Sequence, residues 1–377
     1  MNFQLSEDQQ AIAEMADSLF SDHCHDDYMR EWHSAGEGMM PALWALCVET
    51  GLHALAIPEA EGGSGLGMTE LMLVLQAQGR GLAQVPLWRH QLAAATLAAF
   101  GLGDTARLAA QAASGERLLS VSLEGLSAAC GIELNATACA QGWQIDGKVA
   151  ALALGEQAEA ALVPVAVEGQ VRLLLLDLTA ASVQRAPGMS THGEAVADVR
   201  VEGLRVTADR ILPAAALAWL EPRAIAALAA LQLGVSAEHI QRTVAYVSER
   251  QQFERRIGSF QAVQMSMADA HIALEALRST LWQLCYRLDA GLPAPSEALA
   301  TAYLACEAGH RIGHIAQHVH GGIGVDLSYP IHRFLYWSRA LGSALGGSAA
   351  SLERLGDWLS DNDKLGWKYD LEEHQAL

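Results

Sequence analysis

Three histidines, His310, His314 and His318, recur every four residues, a spacing that aligns side chains on one face of a helix and suits metal ligation. No glutamate stands between them as in a zinc-protease helix, and Arg311 and Gln317 flank them. The stripe is therefore read as solvated or cofactor-facing, and no metal is assigned. HCHDD (23–27) is read as surface for the same reasons. IPEAEGGSGLG (57–67) carries glycines like those of a dinucleotide loop, but it follows a helix-like segment and lacks the strand, turn and helix that such a loop needs. No GxSxG stands in the chain, and its six cysteines lie far apart without a CxxC pair, so they are read as buried reduced thiols. Near the end, ALGGSAA (344–350) is a run of seven residues with no charge and no proton-transferring side chain.

These residues need elements to place them. Residues 1–117 alternate helical periodicity with glycine-rich breaks, with Leu5, Ile12, Met15 and Leu19 on one face, and predict a helical domain. From 118 to 212 the texture turns to Val- and Leu-rich runs separated by the hairpin signals QGWQIDG, VEGQV and DVRVEGLRV, which predict a small β domain. From 213 to 377 long Ala- and Leu-rich helices resume, broken by a glycine cluster at 321–324. The order is helix, sheet, helix.

The 377 residues are 51% hydrophobic, too many for one compact core and too apolar for disorder. A formal charge of −19 repels phosphate backbones and anionic membranes, which argues against nucleic-acid and membrane partners. MNFQLSEDQQ has no basic leader, and the longest apolar run, AIAALAALQLGV (224–235), is too short to span a bilayer, so a cytoplasmic protein is expected.

One stretch is more specific. In YVSERQQFERRIGSFQAVQMSMADAHIALEALR (246–278), Arg250 and Phe253 precede Phe260-Gln261 and an amphipathic helix. Together with IPEAEGG and HVHGGIGVDLSYPIHR (318–333), it makes nearly the whole chain resemble the acyl-CoA dehydrogenase family. The resemblance implies an α+β multidomain fold: an N-terminal helical bundle, a β-barrel-like middle domain and a C-terminal four-helix bundle. It also implies α,β-dehydrogenation of an acyl-CoA with FAD, in which a carboxylate base removes the α proton and the β hydride passes to the flavin. In this family each FAD is shared, held by one subunit and reached by an arm of its neighbour.

Carried over residue by residue, the reaching half is present. Arg250, Gln252 and Phe253 match the arm motif, with the guanidinium suited to a diphosphate, and Gln261 fills the FQ position. His318 stands where the family has a glutamine, before Gly321, Gly322 and Gly324 of the cofactor loop. Glu254 replaces the glycine usual after Phe253. The holding half departs from the pattern. The T-E-P segment corresponds to Leu123-Glu124-Gly125, with Ser122 supplying a hydroxyl if the register shifts by one, and the aromatic-Ile-Thr strand to Ala151-Leu152-Ala153. The two base positions of the family fall on Leu345, inside ALGGSAA, and Ile225. Neither takes a proton. Glu221, one helical turn before Ile225, is the nearest substitute, with a surface salt bridge or helix-start acid as its other reading.

The resemblance is closest to the base-lacking subunit of the heterotetrameric branch that acts on steroid-derived and other bulky CoA thioesters. The expectation is a non-catalytic subunit that completes the FAD site of a homologous base-bearing partner, with electron-transfer flavoprotein as acceptor. A self-sufficient dehydrogenase with an unusual base and a non-enzymatic acyl-CoA-binding scaffold remain the alternatives.

Overall fold

The computed structural model describes residues 4–128, 130–140 and 142–362. Six helices come first: α1 (Glu7–His23), α2 (Asp26–Ala35), α3 (Pro41–Glu49), α4 (Met68–Gly81), α5 (Leu87–Phe100) and α6 (Asp104–Ala113). Seven strands follow: β1 (Leu119–Val121), β2 (Asn135–Cys139), β3 (Gly142–Ala153), β4 (Ala160–Val167), β5 (Gln170–Asp177), β6 (Val183–Met189) and β7 (Ala195–Val206). The chain then returns to helix with α7 (Ala214–Glu249), crosses the short hairpin β8 (Gln251–Gln252) and β9 (Arg255–Arg256), and ends in α8 (Gln261–Asp289), α9 (Pro295–His320), α10 (Ile331–Ala344) and α11 (Gly347–Asp361).

The seven strands form one curled sheet in the order β1-β4-β2-β3-β7-β6, with β5 on the other edge of β4. VEGQV makes the hairpin that its sequence predicts: Val167 pairs with Gln170 across Glu168 and Gly169, both at positive φ, as a two-residue type I′ turn requires. QGWQIDG follows the turn between β2 and β3, which pair antiparallel up to Cys139↔Gly142, whereas DVRVEGLRV does not turn the chain. QGWQIDG begins at Gln141, outside the described residues; its later residues, with DVRVEGLRV, lie inside β3 and β7, where the register slips between Ile145↔Leu204 and Gly147↔Val201. Asp146 accepts a hydrogen bond from the Gly203 amide (2.6 Å), so the Asp-Gly and Glu-Gly pairs face each other in a bulge that bends both strands.

Side-chain alternation puts the sheet between two cores. Ala160 and Leu162 of β4 and Leu173 and Leu175 of β5 join the helical core, whereas Ala161, Val163, Leu174 and Leu176 join a separate core on the opposite face. The first core runs without a break from the N-terminal helices into the C-terminal bundle, where α7, α8 and α10 pack around α9 and α11 lies along it. Glycines allow the closest crossing. A Cβ on Gly79 of α4 would lie 2.4 Å from the Leu231 carbonyl of α7, and one on Gly234 would lie 2.1 Å from the Gln76 carbonyl.

The run 224–235 is part of a longer helix than its apolar composition suggests. α7 spans 36 residues and is long and apolar enough to cross a membrane by length and composition, yet 56% of its most apolar window is buried inside the protein. Its apolar surface serves helix packing against α4, α9 and α10.

Candidate active site

A cavity of about 970 Å³ opens where the three zones meet, between α5, the strands β3, β4 and β7 and the helices α7, α9 and α10. Apolar walls come from Trp88, Leu228, Leu231, Trp337 and Leu341, and its small-residue wall from Gly342 to Ala344 with Gly346 and Gly347. The ALGGSAA stretch thus borders the cavity, but Leu345 does not line it. Leu345 caps α10, is 7% exposed and packs in the helical core. The next two residues, Gly346 (φ +85°) and Gly347 (φ +83°), turn the chain into α11 through the left-handed region that favours glycine. A Cβ on Gly346 would sit 2.5 Å from the Ser127 hydroxyl, so this glycine is also what lets the cavity rim close.

Ile225, the other base position, is buried in α7 and is not part of the cavity wall. Glu221 is not part of it either; its carboxylate accepts from Arg354 of α11 at 2.6 Å, which is the salt-bridge reading of this residue.

Sequence spacing gave no sign of the charged cluster that does line the cavity. Arg89 of α5, 4% exposed, donates from Nε to Glu194 Oε1 (2.9 Å) and from Nη2 to Glu194 Oε2 (3.3 Å) and Glu124 Oε1 (3.0 Å). Its Nη1 donates to the Val121 carbonyl (2.5 Å). Glu124 also accepts from the Ser122 hydroxyl at 2.7 Å. Burial pushes the Glu194 carboxyl up, but Arg89 and His192 outweigh it and hold the group below the usual carboxylate range. Burial pushes the His192 imidazole down, and Glu194 offsets this only in part. Glu194 is thereby disposed against taking a substrate proton. Two more carboxylates line the cavity. Glu133 pairs with Lys148 (3.1 Å), and Glu307 of α9, one turn before His310, has no ion-pair partner among the described residues.

His310 and His314 line the cavity with their rings 4.5 Å apart, whereas His318 does not reach it. Among the described residues no group of three His, Cys, Asp or Glu side chains is placed to hold a metal ion. The glycine loop at 63–67 serves packing. The helix it leads into is capped by Asp289, which accepts from the Met68 and Thr69 amides (2.6 and 3.0 Å). HCHDD is similarly committed: His25 caps α2 and Asp26 accepts from Arg242.

The arm residues gather elsewhere. Tyr246, one turn before Arg250, stacks on His320 at 4.3 Å, which joins the end of α7 to the end of α9 and sets the β8–β9 hairpin beside the glycine loop. Arg250, Gln252, Phe253, Gln261, His318, Gly321 and Gly322 are exposed, and Gly324 is buried against Gln317. Phe253 is 85% exposed at the hairpin tip, and the Arg250 side chain makes no hydrogen bond or ion pair among the described residues. Phe253 and Glu254 have φ of +51° and +62°, a type I′ geometry that explains why glycine suits the position of Glu254. None of these eight residues lines the cavity.

At the arm the Arg250 guanidinium and the Gly321 and Gly322 backbone are open to solvent, whereas the cavity wall departs from what a flavin face needs. The strand that should face the ring has a bulge there, with Ala151 at φ +48° and Leu152 and Ala153 turned into the core. Two of the wall's polar donors, Ser122 and Arg89, are already bonded to carboxylates.

Comparison with known proteins agrees with this architecture. The family model for the acyl-CoA dehydrogenase N-terminal domain matches residues 6–115, and that for the C-terminal domain residues 223–359. The chain is 32% identical to acyl-CoA dehydrogenase FadE27 of Mycobacterium tuberculosis over 96% of its length and 99% of the relative's. It superposes on a chain of the ChsE4-ChsE5 complex of the same organism with a TM-score of 0.90 at 32% identity, covering 96% of this chain and 100% of that one. A chain of the Tcur3481-Tcur3483 steroid acyl-CoA dehydrogenase, solved as a variant, gives 0.87 at 34% identity over 94% and 98%. The chain belongs to the acyl-CoA dehydrogenase family, whose cofactor is FAD.

Proposed function

We propose that this chain is the base-lacking subunit of a heteromeric acyl-CoA dehydrogenase, and that its arm completes the FAD site of a homologous, base-bearing partner. The observation that carries the reading is the separation of two half-sites. The residues that would reach a cofactor are exposed at one end of the helical bundle, while neither family base position, Leu345 or Ile225, presents a carboxylate to the chain's own cavity, whose charged wall is already bonded to itself.

FAD supplies the acceptor for the β hydride when it is bound in the partner. Around it, Arg250 pairs with the diphosphate as a charge-assisted donor, Gln252, Gln261 and His318 add neutral hydrogen bonds, and Gly321 and Gly322 leave backbone amides open to a close approach. Phe253 covers apolar surface of the partner. The proton is taken by the partner's base, so an unpaired chain lacks the roughly 10²- to 10⁴-fold contribution of a positioned base.

Two relatives of high similarity are complexes named for two different chains, and one of them is a steroid acyl-CoA dehydrogenase, which supports a bulky, steroid-type acyl-CoA as substrate. Electron-transfer flavoprotein is the acceptor that fits such chemistry, and a cytoplasmic location fits both. A self-sufficient enzyme is the second reading, and the unpaired cavity carboxylate Glu307 favours it with a base that the sequence did not suggest.

The test is co-expression with a homologue that carries glutamate at a base position. Flavin and acyl-CoA-dependent dye reduction that appear only in the co-purified complex, with one FAD for each pair of unlike chains, support the assignment. Turnover by the chain alone that is abolished by Glu307→Gln refutes it.

A further inference from the structure

The cavity wall that carries Glu124, at the position of the family's T-E-P glutamate, is lined by the chain's own charges. Arg89 comes from α5, Glu124 from the turn after β1 and Glu194 from the residue before β7, and the guanidinium bonds to both carboxylates and to the Val121 carbonyl. Further along, Gln84 donates to the His192 carbonyl (2.7 Å), and the His192 ring meets Trp337 of α10 edge-on at 5.2 Å. One connected network therefore joins the N-terminal helices, the sheet and the C-terminal bundle around the cavity.

We infer that the Arg89–Glu124–Glu194 cluster is a built-in block that closes this chain's own cavity to flavin and bridges the three layers in a cofactor's place. The inference rests on the division of labour proposed above and identifies the residues that enforce it. An oxidised flavin presents N1, O2 and O4 of its pyrimidine ring and N5 of its central ring as acceptors with a single N–H, so a wall that holds it must donate hydrogen bonds. Here the Ser122 hydroxyl and the guanidinium nitrogens already donate to Glu124, Glu194 and Val121. Two carboxylates against one guanidinium also leave the wall with a net negative charge, which opposes the anionic character that a flavin gains on reduction. The guanidinium at its centre is buried, and removing only this cation would leave two half-buried carboxylates without that partner.

Flavin titration of the full chain, purified without a partner, tests the block through fluorescence quenching and the FAD dependence of Tm. The wild-type chain is expected to show no saturable quenching and no Tm shift in excess FAD. The combined variant Arg89→Met, Glu124→Gln, Glu194→Gln, neutral and close in volume, is expected to bind FAD saturably with a rise in Tm. Saturable FAD binding by the wild type overturns the inference, as does a folded triple variant that ignores FAD. Should the triple variant not fold, Glu194→Gln alone leaves Arg89 its bonds to Glu124 and Val121; FAD binding measurably tighter than wild type supports the block, and none overturns it. A chain that takes up FAD yet stays inactive without a base-bearing partner defeats this inference alone. A flavin-free chain that gains no activity with such a partner defeats the division of labour and leaves the block standing.

Discussion

Gly346→Ala probes whether ALGGSAA is shaped by geometry or is free to vary once its chemistry is gone. Two costs follow from the position of this residue. Its φ of +85° lies in the left-handed region, which disfavours any side chain with a Cβ by about 1–2 kcal/mol. The new methyl would also lie 2.5 Å from Ser127 Oγ and 2.6 Å from Ser127 Cβ. Contact with a Cβ is not relieved by rotating a side chain, so overpacking adds about 1–3 kcal/mol. The sum is about 2–5 kcal/mol, read as a lowered urea midpoint at unchanged slope. The companion Ser127→Gly separates the two costs. In the double variant the overpacking is relieved and only the backbone cost of about 1–2 kcal/mol remains. Equal midpoints for Gly346→Ala and the double variant would refute the steric half of the argument, and a single variant as stable as wild type would refute both.

Leu345→Glu replaces a core leucine with a carboxyl and is expected to cost at least the roughly 1.5–3 kcal/mol of that burial while leaving the lone chain inactive; acyl-CoA-dependent dye reduction by the lone variant would show that the cavity holds a working flavin. Arg250→Gln, measured in the complex, should weaken FAD binding by about 10- to 150-fold, the worth of a charge-assisted hydrogen bond, without changing the stability of either subunit. Stability should fall in mild acid. Burial, with His320 and Arg242 nearby, pushes His239 down from 6.5 to about 3, and burial with His53 pushes His90 down to about 4. An unfolded chain protonates both imidazoles near pH 6.5 while the folded chain refuses, so the stabilisation is complete above that pH and is lost as pH falls toward the folded values. Each imidazole adds a slope of about 1.4 kcal/mol per pH unit. A urea midpoint with the same dependence from pH 7 to 5 in His239→Gln as in wild type would count against this account.

Helices and strands with local periodicity were legible in the sequence, and so was the arm, because Arg250, Phe253 and Gln261 lie close together in one segment. DVRVEGLRV misled for a local reason, which the Asp-Gly of QGWQIDG shares. An Asp-Gly or Glu-Gly pair fits a type I′ turn and a bulge equally well, and only the pairing of β3 with β7 decides between them. The Arg89 cluster was invisible for a different reason. Its members come from residues 89, 124 and 194, which no spacing rule connects, and Glu124 alone drew attention because a family motif falls on it. ALGGSAA offers no proton-transferring side chain in sequence, but the packing of Leu345 into the core and the turn made by its two glycines are tertiary facts.

The close crossing of α4 and α7 at Gly79 and Gly234 has a thermodynamic consequence. It fuses the first and last thirds of the chain into one helical body with one core, into which the sheet is inserted with a second core of its own. Native-state hydrogen exchange should therefore report two cooperative units and not three, and the sheet can open while the helical body stays closed. The arm and the glycine loop belong to the helical body; the wall strands belong to the sheet. Substitutions confined to the solvent-facing and second-core positions of the sheet thus leave the packing that positions the arm unchanged.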